Sequence, residues 1–454
     1  MEIGLIGLGN MGRNLAKNLD DKNYKLHVYN RTYSKTESLI KNHPKIIPHK
    51  NIKDLISNIK TKKIIFIMLT AGNIIDQILD ELSNFLNEED VAIDLGNSYF
   101  KDTIRRTKNY KFNFVGAGIS GGELGARHGG SIMVGCKEHV WKLLKKVFDD
   151  ISTDSQISNM KCCERFGDDG AGHFVKMVHN GIEYCDMDII AECFNILKNM
   201  KKDNKYISDL FLKWNDNDLK SYLLEIAGKI LIKKENNEFL IDKVEDSAQQ
   251  KGTGKACITE AVELNVPAIT VVESTFSRVI SSRKSVRDEL STKWFFESKE
   301  SCDLSEEDIH NSIYLCRAIS YVQGFNLLNI ASDNYKWDKD LSKVCDVWSN
   351  GCILRGTFLK TMKEITSETK EDFELSETFA KIFNKNIYSL KNLVKYSTLK
   401  GIPIPTISSC YNYVLGMREK ESNGNMIQCM RDCFGGHTVI FKGEKDPKHI
   451  EWLE

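Results

Sequence analysis

Hydrophobic residues in the first third of the chain form short runs that alternate with amphipathic segments. Runs rich in branched and aromatic residues predict strands at residues 3–8, 25–30, 63–69, 91–96, 113–118 and 131–135. Segments of helical periodicity lie between them, at residues 13–20, 73–86 and 137–151. Strands that alternate with helices indicate an α/β domain with a parallel, doubly wound sheet. We predict such a domain over residues 1–170.

The pattern changes at Ala171, where long helical periodicities replace the strand signals. Residues 171–418 are predicted to form a large all-α domain. After Glu419 the periodicity loosens, and residues 419–454 are predicted to be an irregular tail that cannot fold by itself. A tail of this kind often packs on a partner subunit.

One helical stretch, "FVKMVHNGIEY", has two chemically different sides. At about 100° per residue, one side carries apolar residues, namely Phe174, Val178, Ile182 and Cys185. The other side carries polar groups, namely Lys176, His179, Asn180 and Glu183, with Tyr184 at its margin. Charged helix faces are usually solvated, so a wet surface is the first interpretation of this side. A row of catalytic groups that faces a pocket is the alternative.

Composition excludes several classes of protein. With 63 Lys and Arg against 63 Asp and Glu, the net charge is +0, which argues against a general nucleic-acid binder. The hydrophobic fraction of 41% suits globular cores, and the longest apolar run is too short to span a bilayer. Because a strand-like segment starts at residue 2, we expect no signal peptide. Thirteen cysteines without a C-x-x-C pair are typical of reduced thiols, so we expect a cytoplasmic protein.

The first predicted strand leads into a glycine-rich turn and then a helix. Gly7, Gly9 and Gly12 form a G-x-G-x-x-G pattern at this junction. The first glycine allows the tight turn, the second lets the backbone approach a pyrophosphate, and the third allows close packing of the helix. This context predicts a Rossmann-like dinucleotide site, with a glycine turn that binds nothing as the alternative.

The end of the second predicted strand indicates which dinucleotide is bound. An NAD site expects Asp or Glu there to hold the ribose 2′-hydroxyl. The chain has Asn30, Arg31 and Thr32 instead. Because Arg pairs with a phosphate that a carboxylate would repel, the sequence favours NADP.

Four further segments are candidates for substrate contacts, and the first two follow predicted strands. Ser120, Gly121 and Gly122 offer a hydroxyl and unshielded amides for a carboxylate or hydroxyl group, although a flexible loop is a real alternative. Asn97 follows the fourth predicted strand, where its carboxamide could touch both nicotinamide and substrate.

The segment "QQKGTGKA" lacks the first Gly and the Ser/Thr of a phosphate loop, which argues against ATP hydrolysis, yet Lys251 could contact a substrate phosphate. Downstream, a basic run is either a solvated face or the source of one phosphate contact; it contains Arg278, Arg283, Lys284 and Arg287.

Taken together, these motifs resemble the 6-phosphogluconate dehydrogenase family, the NADP-dependent decarboxylating enzymes of the pentose phosphate pathway. The matching strings are "IGLIGLGNMGRNL", "NRT", "DLGNSYF", "GISGGELGARHG", "GAGHFVKMVHNGIEYCDM", "QQKGTGK", "GIPIP" and "RDCFGGHT". They occur in the family's order and cover nearly the whole chain. One departure is Thr70 in "LTAG", where the family usually has a lysine.

The resemblance implies that Lys176 is the general base and Glu183 the general acid. It implies that 6-phosphogluconate is held by Asn97, Ser120, Gly121, Gly122, His179, Asn180, Tyr184, Lys251 and Arg278. It implies a homodimer in which Arg431 and His437 complete the other subunit's site. It implies that NADP is held by Gly7, Leu8, Gly9, Asn10, Met11, Gly12, Asn30, Arg31, Thr32, Leu69, Thr70, Ala71 and Asn97.

As a base, the Lys176 amine has to be neutral near working pH. We expect desolvation and cationic neighbours to lower its pKa, the candidates being Lys251, Arg278 and the partner's Arg431. No metal is expected, because a β-keto acid itself accepts the electrons that decarboxylation releases. Two alternatives stay open: a β-hydroxyacid dehydrogenase of a small unphosphorylated acid, and a non-catalytic NADP-binding sensor.

Overall fold

One eight-stranded sheet organises the N-terminal part of the chain. The structure, a computed structural model, describes residues 1–250, 252–296, 298, 300 and 302–453. The strands are β1 (Glu2–Ile6), β2 (Lys25–Tyr29), β3 (Ile47–His49), β4 (Ile64–Ile67), β5 (Val91–Asp94), β6 (Asn113–Ser120), β7 (Ser131–Gly135) and β8 (Cys163–Arg165). The helices between them are α1 (Asn10–Asp21), α2 (Tyr33–Ile40), α3 (Ile52–Asn58), α4 (Asn73–Ser83), α5 (Phe100–Asn109), α6 (Gly122–His128) and α7 (Glu138–Ile151).

The strand order is β3-β2-β1-β4-β5-β6-β7-β8. All neighbouring strands are parallel except β6 and β7, which pair antiparallel. Side chains alternate between the two faces, so that Leu5 packs in one apolar cluster and Ile6 in another. The direction of winding reverses between β1 and β4, and such a reversal opens a crevice at the carboxyl ends of the strands.

The doubly wound α/β fold predicted from the sequence is confirmed, with three differences in detail. The strands β3 and β8 were not predicted, because three-residue strands are too short for a readable alternation. The pairing of β7 is antiparallel, because only the short helix α6 separates it from β6.

Long helices build the remainder of the chain, as predicted. They are α8 (Ala171–Asn199), α9 (Asn204–Asn215), α10 (Tyr222–Leu231), α11 (Thr253–Glu263), α12 (Ile269–Ser281), α13 (Lys284–Ser291), α14 (Glu306–Tyr335), α15 (Ser342–Trp348), α16 (Phe358–Glu368), α17 (Glu377–Lys400), α18 (Pro405–Arg418) and α19 (Gly424–Gly435). A small hairpin, β9 (Lys234–Glu235) and β10 (Glu238–Phe239), lies between α10 and α11, and residues 240–243 and 373–375 form short 3₁₀ turns. None of the described helices combines the length and apolar character needed to cross a membrane.

The central helix of this assembly is α8. It packs against β6 and β7 of the sheet on one side and against α11, α12, α14 and α18 on the others. Both of its sides are therefore covered along much of its length, including the polar side of "FVKMVHNGIEY". The wet-surface interpretation of that side is wrong for Lys176, His179 and Asn180, which are all buried.

The C-terminal tail contains more order than its sequence pattern indicates. The helix α19 occupies residues 424–435 of the segment predicted to be irregular. The residues beyond it are held to this helix, because the Asp432 carboxylate on α19 accepts hydrogen bonds from the backbone N–H groups of Thr438 and Ile450 and from Trp452 Nε1. The apolar residues of this helix are mostly exposed and do not pack in a core of the same chain.

Candidate active site

The glycine turn between β1 and α1 is built for close approach of a ligand backbone. Gly7 has φ +101°, and a Cβ there would lie 2.4 Å from the Met68 carbonyl oxygen. A Cβ on Gly9 would meet nothing within 4 Å, so this side of the turn is open. The first N–H groups of α1 point out of the same turn. The geometry suits a pyrophosphate.

The residues after β2 support that turn and shape its far end. The backbone N–H of Leu8 donates to Asn30 Oδ1 at 2.9 Å, and Asn30 Nδ2 donates to the Thr32 carbonyl at 2.9 Å. Arg31 between them is exposed. An exposed guanidinium without a carboxylate at this strand end fits a ribose 2′-phosphate.

The turn after β4 forms the other side of the crevice. Leu69 is half-buried, Thr70 is exposed, and Ala71 reaches a cavity beyond the crevice. Gly72, with φ +114°, then leads into α4.

A cavity of about 290 Å³ lies between the sheet and the helices. From the sheet side it is lined by Ala71, Gly72, Asn97, Ser98, Tyr99 and Asp102. From the helical side it is lined by His173, Lys176, Met177, Asn180, Gly252, Thr253 and Ala256. The cavity therefore joins four of the site residues implied by the resemblance: Ala71, Asn97, Lys176 and Asn180.

Lys176 reaches this cavity because α8 lies unusually close to β6. A Cβ on Gly118 would lie 2.3 Å from the Cβ of Lys176, so any side chain there would push the helix off the strand. This contact of Gly118 was not predicted, although the "GAG" at the end of the predicted strand is a signal of close backbone approach.

His179 connects Lys176 to the other candidate substrate groups. Its Nδ1 lies 3.4 Å from Lys176 Nζ and 3.2 Å from Asn180 Oδ1, and its Nε2 lies 3.4 Å from Ser120 Oγ. The imidazole is fully buried against the edge of Trp348, with ring centroids 5.3 Å apart. The loop after Ser120 begins with Gly121 at φ +101°, where a Cβ would lie 2.2 Å from the Gly351 carbonyl oxygen.

Burial determines the electrostatics of this cluster. It lowers the pKa of the Lys176 amine, while Glu183 and Cys352 oppose that effect. It also lowers the pKa of His179 well below its ordinary value, and the charge of Lys176 adds to this. In contrast, it raises the pKa of the Glu183 carboxyl, against the charges of Lys176 and Arg278. Burial therefore shifts the amine and the imidazole toward their neutral forms and makes the carboxyl hold its proton more tightly.

Contrary to expectation, Arg278 is not among the groups that act on the pKa of Lys176. Its guanidinium lies 3.4 Å from the ring centroid of Tyr184, and it acts on the pKa of Glu183. The expected lowering of the pKa of Lys176 has burial as its main cause, because this residue is only 6% exposed. The Tyr184 hydroxyl accepts a hydrogen bond from Thr253 Oγ1 at 3.5 Å, which connects this pair to the cavity wall.

Two supporting residues were missed by the sequence analysis. Asp94, at the end of β5, accepts hydrogen bonds from Gly96 N at 2.9 Å and Ser98 Oγ at 2.5 Å, which shapes the turn that carries Asn97. His173 lines the cavity, and its Nδ1 bonds Thr103 Oγ1 at 2.7 Å. The position of an acidic residue directly before "LGNS" was the sequence signal that could have identified Asp94. The sequence contains no comparable signal for His173.

Some implied residues are not at this cavity. Among the described residues, its lining includes neither Arg431 nor His437, which are exposed in the tail. Lys251 lies outside the described residues. Lys284 and Arg287 form surface ion pairs with Asp246, at 3.3 Å and 2.9 Å, as a solvated basic face would. Within the part of the chain that the structure describes, no three His, Cys, Asp or Glu side chains are placed to hold a metal ion.

A dinucleotide crevice beside a cavity with a buried lysine defines the class of two-domain, nicotinamide-dependent dehydrogenases. Comparison with known families specifies which one. Residues 2–167 match the NAD binding domain of 6-phosphogluconate dehydrogenase, and residues 172–452 match the 6-phosphogluconate dehydrogenase C-terminal domain. The chain belongs to the 6-phosphogluconate dehydrogenase family, which confirms the resemblance drawn from the motifs.

Individual relatives cover the whole chain. The decarboxylating 6-phosphogluconate dehydrogenase of Buchnera aphidicola subsp. Schizaphis graminum is 38% identical over 468 residues, with 100% of this chain and 98% of the relative covered. The enzyme of the same name from Escherichia coli strain K12 is 36% identical, with 100% and 99% covered. Plasmodium falciparum 6-phosphogluconate dehydrogenase, solved alone, with NADP+ and with 6-phosphogluconate, has a TM-score of 0.94 at 33% identity, with 100% of both chains covered.

Proposed function

We propose that this chain converts 6-phosphogluconate and NADP+ into ribulose 5-phosphate, carbon dioxide and NADPH, with Lys176 as general base and Glu183 as general acid. The observation that carries the proposal is the buried Lys176 amine, on the cavity wall with Asn97 and Asn180, with its pKa lowered by burial. Relatives that bear this activity in their names are similar to the chain over its whole length.

The residues around the crevice suit NADP. The open face of Gly9 and the first turn of α1 would hold the pyrophosphate, and Arg31 with Thr32 would hold the 2′-phosphate. Leu69 to Ala71 and Asn97 would line the path to the nicotinamide. When bound, NADP+ accepts the hydride that leaves C3 of the substrate.

The step that needs a base depends on the protonation state of the Lys176 amine. Loss of hydride from C3 requires that the hydroxyl on the same carbon loses its proton, which the neutral amine accepts. The resulting ammonium can donate a hydrogen bond to the new C3 carbonyl oxygen. When the C1–C2 bond breaks and carbon dioxide leaves, this oxygen gains negative charge that the ammonium stabilises.

The acid step belongs to the Glu183 side of the helix. The enediol that remains has to gain a proton at the carbon that lost carbon dioxide. Burial raises the pKa of Glu183, which favours the protonated carboxyl that can donate it. Seven residues separate Glu183 from Lys176, so the two groups lie about 10 Å apart along the helix axis and can address different atoms of one sugar acid.

The remaining contacts of the phosphorylated acid are assigned by the same proposal. Ser120 with Gly121 and Gly122, and His179 with Asn180, would bind the carboxylate and hydroxyl groups. Tyr184, Lys251 and Arg278 would bind the phosphate. Arg431 and His437 would come from a second copy in a homodimer, and the free thiols support a cytoplasmic location for this dimer.

A substrate comparison tests the proposal directly. NADPH absorbance and carbon dioxide release are measured with 6-phosphogluconate, gluconate and 3-hydroxyisobutyrate, and each is repeated with NAD. We expect 6-phosphogluconate with NADP to give the highest kcat/KM and equal amounts of NADPH and carbon dioxide. A preference for an unphosphorylated acid would point to the alternative dehydrogenase. NADP binding without turnover of any acid would point to a sensor.

A further inference from the structure

A buried carboxylate outside the proposed machinery joins the two sides of the cavity. Glu260 on α11 is fully buried, and its Oε2 lies 2.9 Å from the Nζ of Lys101 on α5. Its Oε1 accepts a hydrogen bond from the Tyr335 hydroxyl, at the end of α14. Three helices, one from the sheet part and two from the helical part, therefore meet at one carboxylate.

The position of this ion pair relates it to the cavity. Lys101 lies between Tyr99 and Asp102, which line the sheet side. Glu260 follows Ala256 by four residues on α11, and Ala256 lines the opposite side. A change in the Lys101–Glu260 distance would thus change the separation of the two walls.

Aromatic contacts connect the same point to the catalytic helix. Tyr335 stacks on Trp337, with centroids 4.7 Å apart, and meets the edge of Phe100 at 5.4 Å. Phe100 in turn meets Phe174 at 4.9 Å, and Phe174 precedes Lys176 by two residues on α8. A continuous row of aromatic contacts therefore connects the Glu260 carboxylate to α8, the helix that carries the proposed base.

The electrostatic attraction between Lys101 and Glu260 does not by itself explain why this position has an ion pair. Burial of a carboxylate is costly, and apolar residues of similar volume often stabilise a core as well or better. Burial would lower the pKa of Lys101, but the ion pair with Glu260 and the contact with Tyr99 together outweigh this and raise the pKa. What the pair supplies that apolar packing does not is a fixed distance and direction between the first turn of α5 and the second half of α11.

We propose that the Lys101–Glu260 ion pair, held by Tyr335, is a brace across the two parts of the chain that sets the width of the cavity and holds the start of α11 against the substrate. Both are positioning residues. The inference rests on the proposed function, because α11 starts at Thr253, directly after the segment with Lys251, which that function assigns to the phosphate.

The test is a double-mutant cycle on the full chain with Glu260→Gln, Lys101→Met and the double variant. Gln at position 260 keeps an oxygen that can accept the Tyr335 hydrogen bond, and Lys101 is partly exposed. Both variants should therefore keep the packing of the surrounding aromatic residues. We expect KM for 6-phosphogluconate to rise roughly five- to tenfold in each single variant and no further in the double variant, as for directly coupled residues. Turnover at saturation and the Kd of NADP should change by less than about twofold.

Lys363→Met is the matched control. Lys363 forms an ion pair of similar length, 2.8 Å, with the buried carboxylate of Asp346, but within the helical part and away from the cavity lining. The variant Lys363→Met should lower the melting temperature without changing KM for 6-phosphogluconate. A second control, Lys101→Arg, keeps the positive charge and should keep KM near that of the wild type.

Two results would overturn the brace. One is an unchanged KM in Glu260→Gln with only a lower melting temperature; the other is KM effects that add in the double variant. Wild-type protein without turnover of 6-phosphogluconate would instead contradict the proposed function, and the two failures are distinguishable because the wild type is assayed first.

Discussion

At the residue scale, the burial and the pKa of Lys176 depend on residues that are distant in sequence more than on its sequence neighbours. The helical period correctly grouped Lys176 with His179 and Asn180, but nothing in that period indicates burial. Burial arises because β6 has a glycine, Gly118, where it faces Lys176, so the helix lies against the strand. A single sequence contains both the glycine and the lysine. Their contact could not be predicted, because the two residues lie far apart along the chain and only the fold brings them together.

Removal of the amine should abolish turnover without loss of the cofactor. We expect Lys176→Met to lower kcat with 6-phosphogluconate by about 10²- to 10⁴-fold, the usual contribution of a general base. The Kd of NADP, measured by fluorescence titration, should stay within about twofold of the wild type, because the glycine turn and Arg31 belong to other elements. Lys198→Met, at the far end of the same helix, is the control and should keep full turnover. Undiminished turnover in Lys176→Met would refute the base assignment.

The pH dependence of kcat/KM should report the coupling between the two proposed catalytic groups. The amine acts as a base only when neutral, so kcat/KM should rise with pH until Lys176 is deprotonated, at a pKa below its usual value of 10.5. Because the ionised form of Glu183 in the free enzyme raises the pKa of Lys176, Glu183→Gln should move this rising limb to lower pH. The same variant should lower kcat, since the proton donor to the enediol is lost. A limb that stays in place, or one that moves to higher pH, would contradict the coupling.

At the element scale, the sequence predicted long elements better than short ones. The strands at the centre of the sheet and the long helix around Lys176 follow from hydrophobic periodicity. The strand β3, "IPH", is held by pairing with β2 and includes a proline, so its own sequence does not favour a strand. The helix α19 likewise lacks a buried stripe within its own chain.

The β2–β3 edge contains a pair of buried histidines. His27 Nδ1 lies 2.9 Å from His49 Nε2, and the rings stack with centroids 5.2 Å apart. Glu2 on β1 lies 3.8 Å from His27 Nε2, and Lys25, Lys60 and Asp54 are the other charged groups that act on the pair. Burial lowers the pKa of His27 to about 4, and it also lowers the pKa of His49.

This pair should make the fold sensitive to mild acid. The unfolded chain binds a proton at His27 near pH 6.5 and the folded chain only near pH 4, so the unfolded state binds more protons in between. The stability contributed by neutral His27 is thus complete above pH 6.5 and is lost as pH falls toward 4, by on the order of 3 kcal/mol. Thermal unfolding followed at a series of pH values across this interval measures it.

Variants at two histidines separate this effect from general acid unfolding. His27→Gln cannot take up the proton, so its melting temperature should fall less steeply with pH than that of the wild type. His139→Gln, at an exposed histidine of the same domain, should retain the wild-type slope. Equal slopes for wild type and His27→Gln would show that the buried pair does not control acid stability.

At the scale of the whole molecule, the single chain leaves part of its apolar surface uncovered. On α19, Met426, Ile427, Met430 and Phe434 are all exposed. Exposed apolar side chains concentrated on one element are typical of a surface that meets another protein. Arg431 lies on this same helix, and neither it nor His437 is among the described residues that line the cavity of its own chain. These features support the proposed homodimer, in which residues 419–454 reach the other subunit.

Mixed dimers test this arrangement, because each defect can be placed on a different subunit. We expect Lys176→Met to inactivate every site of its homodimer, and Arg431→Met to lower kcat/KM by roughly two orders of magnitude through loss of a charged substrate contact. In a dimer that contains one copy of each variant, the site with an intact Lys176 would receive Arg431 from the partner. That site is then wild type, while the other bears both defects.

The heterodimer, isolated by two different affinity tags, should therefore recover about half of the wild-type turnover per dimer, since one of two symmetric sites is intact. Differently tagged Lys176→Met subunits paired with each other are the control and should recover none. If Arg431 served its own subunit, every site of the heterodimer would have one defect and turnover would not return. Recovery thus requires both that the protein is a dimer and that the tail crosses between subunits, which no property of a single chain can produce.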